Sequence, residues 1–128
     1  MLINFSNHPY EIWREKQREA AKQYGEVVDF PLPPITPDTD IEEMREMVRD
    51  CVEKIEAMKP TAVMAAGEFT LIFMLVDKLL QDGVKVICSC SQRQTIERKL
   101  PNGSNEKTSI FTFERFREYD YFKKRGEA

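Results

Sequence analysis

The chain is poor in the residues that build several common kinds of site. It has one histidine, His8, in 128 residues, and three cysteines, Cys51, Cys88 and Cys90. An odd count without framework spacing excludes a disulfide-stapled secreted domain. Cys88 and Cys90 are expected to face opposite sides of a strand, so they form no metal knuckle. With a single histidine, no zinc-ligand set remains and no metal is expected. Glycine is also scarce, at five residues. One glycine follows a strand where the dinucleotide fingerprint needs several, and the Gly-Lys-Ser/Thr ending of a P-loop is absent. No apolar run reaches the ~18 residues that span a bilayer. Met1 leads straight into strand-like residues 2–5, so no signal peptide and no membrane contact are expected, and the cytoplasm follows. The net charge of -3 gives no basic field for duplex nucleic acid.

What is present fits one α/β domain over residues 1–122, with a polar tail over 123–128. The hydrophobic share is 41% and the charged share 32%, neither of them the composition of a disordered chain. Residues 1–6 predict a short buried strand, broken at Asn7-His8-Pro9. The spacing of Ile12, Trp13, Ala20 and Tyr24 predicts a helix over 10–24, with Gly25 beyond its end. A second strand covers 26–30. A stiff connector holding Pro31, Pro33, Pro34 and Pro37 follows. Asp38 or Thr39 then caps a helix over about 40–58, whose apolar face runs from Ile41 to Ile55. A strand at 61–66, a helix at 71–81 and a strand at 84–89 complete three strand–helix alternations. These imply a parallel sheet of order 2-1-3-4 with right-handed crossovers. Residues 94–100 and 107–116 then form a β-hairpin about the Asn102-Gly103 turn.

In such a sheet, ligands bind beyond the carboxyl ends of strands where the strand order reverses. Three loops are expected to meet there. Ser6, Asn7 and His8 offer donors for phosphate or ribose, backed by the N-terminus of the helix that follows. The alternative is that Ser6 or Asn7 caps that helix and His8 only turns the chain. Gly67, Glu68, Phe69 and Thr70 make the second loop, in which Glu68 either meets a ribose hydroxyl or caps a helix. Ser89, Ser91, Gln92 and Arg93 make the third. Arg93 suits phosphate because its fork bonds two oxygens at once, or it forms a surface ion pair. Cys90 is a nucleophile only if His8 serves as its base. The alternation in Phe113–Tyr119 suits base stacking, an edge strand with one buried face, or self-pairing in a dimer.

The order of these segments carries a resemblance. Asn4-Phe5-Ser6-Asn7-His8-Pro9 with Trp13 and Gln17, Asp29-Phe30-Pro31, Gly67-Glu68-Phe69-Thr70, Ser91-Gln92-Arg93 and Phe116-Arg117-Glu118-Tyr119 resemble small CRISPR-associated proteins of type III antiviral systems. These are Rossmann-like and akin to ring nucleases, and the likeness runs over residues 1–119. It implies a three-layer Rossmann-like fold and a homodimer that binds a cyclic oligoadenylate messenger, cyclic tetra-adenylate first. It implies cleavage without metal or cofactor, by attack of a ribose 2′-hydroxyl on its neighbouring phosphate. His8, Arg93 and Glu68 would then be catalytic. Ser6, Asn7, Gly67, Phe69, Thr70, Ser89, Ser91 and Gln92 would hold the ligand. A sensor that binds the ring without cutting it, a pure interaction protein, and a nucleotide hydrolase using Glu68 as nucleophile are the competing readings.

Overall fold

The computed structural model describes residues 1–123 and Gly126. Most of the tail expected over 123–128 therefore lies outside the described residues.

Three short strands and three helices precede a long two-stranded ribbon. The strands are β1 (Leu2–Phe5), β2 (Val27–Phe30), β3 (Ala62–Ala65), β4 (Val86–Lys99) and β5 (Asn105–Glu118). The helices are α1 (Glu15–Ala21), α2 (Ile41–Ala57) and α3 (Phe69–Gln81). The sheet order is β2-β1-β3-β4-β5, parallel except for the antiparallel β4–β5 pair. The expected order of the first four strands holds, and β5 adds the antiparallel edge.

Successive strand side chains point to opposite faces, and two cores follow from that period of two. Ile3, Phe5, Val63, Ala65 and Val86 pack under α2 and α3. Leu2, Ala62, Met64 and Ile87 pack under Trp13 and Ala21. Helices thus cover both faces, and β1 and β3 are buried at every position. Ile55, Leu75 and Leu79 are fully buried from the helix side. Each contributes about 1.5–3 kcal/mol by leaving water.

Several expectations need correction. The helix expected over 10–24 is three pieces: a 3-10 turn at Tyr10–Ile12, the seven residues of α1, and a 3-10 turn at Lys22–Tyr24. Trp13 and Arg14 between the first two are extended, because Trp13 is drawn into the core. The cap of α2 is neither Asp38 nor Thr39 but Asp40, which accepts from Glu43 N at 2.8 Å. Thr39 instead accepts from Thr36 N at 3.1 Å.

The largest correction concerns β4. It does not end at Ser89; it runs unbroken through Ser89–Arg93 to become the first arm of the hairpin. Only Val86 and Ile87 pair with β3, so the rest is a two-stranded ribbon closed by Asn102-Gly103, where Gly103 takes φ 86°. The edge-strand reading of Phe113–Tyr119 holds as far as Glu118. Phe113 is buried, and β5 carries an irregularity of register opposite Cys90 and Ser91. Cys88 and Cys90, two apart on one strand, share a face, contrary to the expectation.

α2 ends with Lys59 at φ 52°, a left-handed position that a side chain disfavours by about 1–2 kcal/mol. Lys59→Gly is expected to raise stability by about 0.5–1 kcal/mol, part of the relief being lost to the freer unfolded chain. Urea unfolding of the two proteins measures it, and an unchanged midpoint would mean the position is unstrained.

The far ends of α2 and α3 meet at two carboxyl groups. Hydrogen bonding with Asp82, then burial, raise the Glu56 carboxyl above its ordinary value. The same bond, with one from Lys78, lowers Asp82. The folded chain therefore holds a proton on Glu56 more readily than the unfolded chain does. Glu56 opposes folding increasingly as pH rises from the ordinary Glu value of about 4.3 through its raised value. An amide donates to Asp82 at every pH. Glu56→Gln is expected to raise the melting temperature at pH 7, by an amount that shrinks toward pH 4. Calorimetry at the two pH values checks the trend, and an equal gain at both would contradict the shared proton.

Candidate functional site

The end of β1 is built around a buried amide. Asn4 and Ser6 are 1% and 7% exposed, on the α1 face of the sheet with Leu2. Asn4 Nδ2 donates to the His8 carbonyl at 2.8 Å and to Asp29 Oδ1 at 2.9 Å, using both its protons. Ser6 Oγ donates to Asn4 Oδ1 at 2.6 Å and accepts from His8 N at 3.2 Å. Trp13 Nε1 donates to the His8 carbonyl at 3.0 Å, and Tyr10 N donates to Asp29 Oδ1 at 3.0 Å. Arg18 closes the far side, donating to the carbonyls of Trp13 and Glu11 at 2.9 and 2.7 Å and lying over the Tyr10 ring. A buried network in which every member is satisfied is rigid. This one fixes residues 6–13 with the backbone of His8 at its centre.

Ser6 is thus a strut of this loop, and neither it nor Asn7 caps a helix. The helix N-terminus expected behind His8 is also missing, since only a three-residue turn follows Pro9.

The loop forms one wall of a cleft of about 490 Å³ beyond the ends of β1 and β3 and beside the β4–β5 ribbon. Ser6, His8, Arg14, Gln17, Ser89 and Ser91 supply its polar lining. Ile12, Trp13, Met64, Ala66, Phe111 and Phe113 supply the rest. Trp13 and Phe113 both pack at an angle against Phe116, at 6.2 and 4.9 Å between ring centres, so those walls are fixed. His8 and Arg14 are the ionisable groups of the lining, and no carboxylate is among the described residues that line it. The cleft is therefore suited to an anion with flat apolar parts.

The other expected site residues lie elsewhere. Asn7 and Glu68 share a smaller cleft of about 290 Å³ with Leu32, Pro33 and Ile35 on the α3 side. Glu68 caps α3, its carboxylate accepting from Leu71 N at 2.9 Å and from the Thr70 hydroxyl at 2.5 Å. Those bonds, the Thr70 hydroxyl's first, hold it below the usual Glu range. Gly67 does meet a close neighbour, since a β-carbon there would sit 2.9 Å from Leu32 Cδ1. Phe69 and Thr70 line a groove with Ile41 and Phe73. Arg93 stands exposed on the ribbon, donating to Ser109 Oγ at 3.0 Å, and Gln92 faces the opposite side of β4 from Ser91. The residues of the three loops expected to converge are thus spread over two clefts, a groove and the ribbon.

Arg14 and Phe111 escaped the sequence reading, whereas Trp13 and the aromatic alternation from Phe113 were noted there. Arg14 looked like one more charge on a helix, and Phe111 reaches the cleft only through the register that sets it opposite Arg93. Wider grooves run along α2 and α3. Among the described residues no helix is long and apolar enough to cross a membrane.

No curated protein and no solved structure matches the chain. Residues 1–117 match the model of the Uncharacterized protein MJ1673 family. That span takes in the His8 loop, the cleft and all but the last paired residue of β5, and the chain belongs to this family.

Proposed function

We infer that this chain is a Rossmann-like protein whose His8 cleft binds a cyclic oligoadenylate, cyclic tetra-adenylate first, and opens it without a metal. The observation that carries the reading is the cleft itself: imidazole, guanidinium, hydroxyl and amide groups between aromatic walls, with no lining carboxylate. Phosphate suits the guanidinium, and adenine suits the rings. The resemblance of residues 1–119 to small CRISPR-associated proteins supplies the ligand.

In the reaction, a ribose 2′-oxygen bonds to the adjoining phosphorus and the bond to the 5′-oxygen breaks. The 2′-hydroxyl proton leaves and the 5′-oxygen gains one, which gives a 2′,3′-cyclic phosphate and a 5′-hydroxyl. His8 takes one of these proton transfers. Arg14 holds the phosphate, the part assigned above to Arg93, while Gln17, Ser89 and Ser91 orient the ring. A cleft of this size takes part of such a ring, so a twofold pair of chains, each offering one cleft, suits a ligand with internal symmetry.

Incubation with cyclic tetra-adenylate in EDTA tests this, with products resolved by chromatography. Linear di-adenylate ending in a cyclic phosphate is expected. An intact ring that still raises the melting temperature would make the protein a non-cleaving sensor. An intact ring with no thermal shift would end the reading.

A further inference from the structure

The face of β4 opposite the cleft carries a second chemical group. Val86 packs on the α2/α3 side and Ile87 on the α1 side, so Cys88 and Cys90 stand toward α3 while Ser89 and Ser91 wall the cleft. Both thiols are half-buried, whereas Cys51 is sealed in the core on α2.

Two residues along a strand are separated by about 6.6 Å of rise. A disulfide needs its β-carbons within about 3.5–4.5 Å, so closing one here would bend β4. Two metal–sulfur bonds of about 2.3 Å each span up to about 4.6 Å between sulfurs, which needs no bend.

The antiparallel register then sets Arg117 directly opposite Cys88 and Arg115 directly opposite Cys90. Such partners share a face, with β-carbons about 4.5–5.5 Å apart. Neither arginine forms an ion pair among the described residues. Two guanidinium groups therefore lie beside two sulfurs, where they can offset the charge of a bound thiolate pair. Among the described residues no third His, Cys, Asp or Glu completes a larger ligand set, so zinc has too few ligands. A soft monovalent ion content with two thiolates does fit.

We propose that Cys88 and Cys90 form a two-thiolate site for one copper(I) ion. Binding replaces two S–H bonds with two S–Cu bonds and releases two protons to solvent; copper stays monovalent and no electron moves. The complex carries one negative charge, which Arg115 and Arg117 offset. Because each thiol must lose its proton to bind, affinity increases with pH.

The test titrates the fully reduced chain with copper(I) in the absence of oxygen, against a colorimetric copper(I) chelator. One equivalent with near-ultraviolet thiolate charge-transfer absorption is expected, and X-ray absorption should find two sulfur neighbours. Cys88→Ser and Cys90→Ser should each abolish competition with the chelator. The Arg115→Ala/Arg117→Ala double variant should weaken it about tenfold. Unchanged copper capacity in either serine variant would overturn the proposal. So would three or more sulfurs around copper in the wild-type chain, a result independent of how the variants fold. A spontaneous loss of two mass units in air would also overturn it, because it would mark a disulfide pair.

Discussion

His8→Ala is expected to stop ring opening while the ring stays bound. General acid–base catalysis by one side chain contributes about 10²–10⁴-fold, and the single-turnover rate should fall by that factor. The separation from binding follows from how His8 is held. The hydrogen bonds that fix it run through its main chain: its N–H to Ser6 Oγ, its carbonyl to Asn4 and Trp13. Removing the imidazole leaves each of these in place, so the loop and the cleft should survive. Arg14→Ala should do the reverse. It weakens binding by the about 1.5–3 kcal/mol of a charge-assisted hydrogen bond and slows the bound reaction less. Thermal shift gives the affinity and chromatography of quenched reactions gives the rate. Equal loss of both in His8→Ala would make the imidazole a binding group. Unchanged turnover would remove His8 from the chemistry.

The parts of the fold that were legible in the sequence are those where burial sets the pattern. β1 and β3 are buried at all positions and bounded by Pro or Gly. α2 has one apolar face ending in Val52 and Ile55, and Asn102-Gly103 announces its turn. The continuation of β4 was not legible, because Ser89–Arg93 are polar and sit in a ribbon with little to bury. Hydrophobic period is the main signal of a strand, and an exposed ribbon has almost none. What makes this segment a strand is its pairing with Phe111–Phe116, which lie about twenty residues further on. The broken helix after Pro9 has a similar cause. Local propensity favours helix through Trp13, and the indole's place in the core with its bond to His8 overrides it. The site inherited both errors. Once β4 runs on, Arg93 is carried out along the ribbon, and once the helix breaks, Arg14 turns into the cleft.

A single atom exchange should expose what holds the site together. Asn4→Asp keeps the side-chain shape and removes both donors of a group 1% exposed. The new carboxylate would lie where Asn4 Nδ2 now sits, 2.9 Å from Asp29 Oδ1, and it would face the His8 carbonyl without a proton to offer. An uncompensated buried charge costs about 3–5 kcal/mol, a large share of the stability of a small domain. Burial and Asp29 both favour the neutral acid at position 4, so its folded value rises above the ordinary about 3.9 of Asp. The folded variant then binds more protons than the unfolded one. Its deficit should be least below that ordinary value, grow as pH rises through the raised folded value, and level off above it. Asn4→Ala, which only deletes the bonds, should cost about 1–3 kcal/mol with no such slope. Urea unfolding of both variants at pH 4 and pH 7 separates the two. A flat Asn4→Asp deficit would mean position 4 does not face Asp29, and the His8 loop would then need another anchor. A steep one would tie the cleft to one buried amide, since the residue that carries the fold's polar cost also sets the His8 backbone.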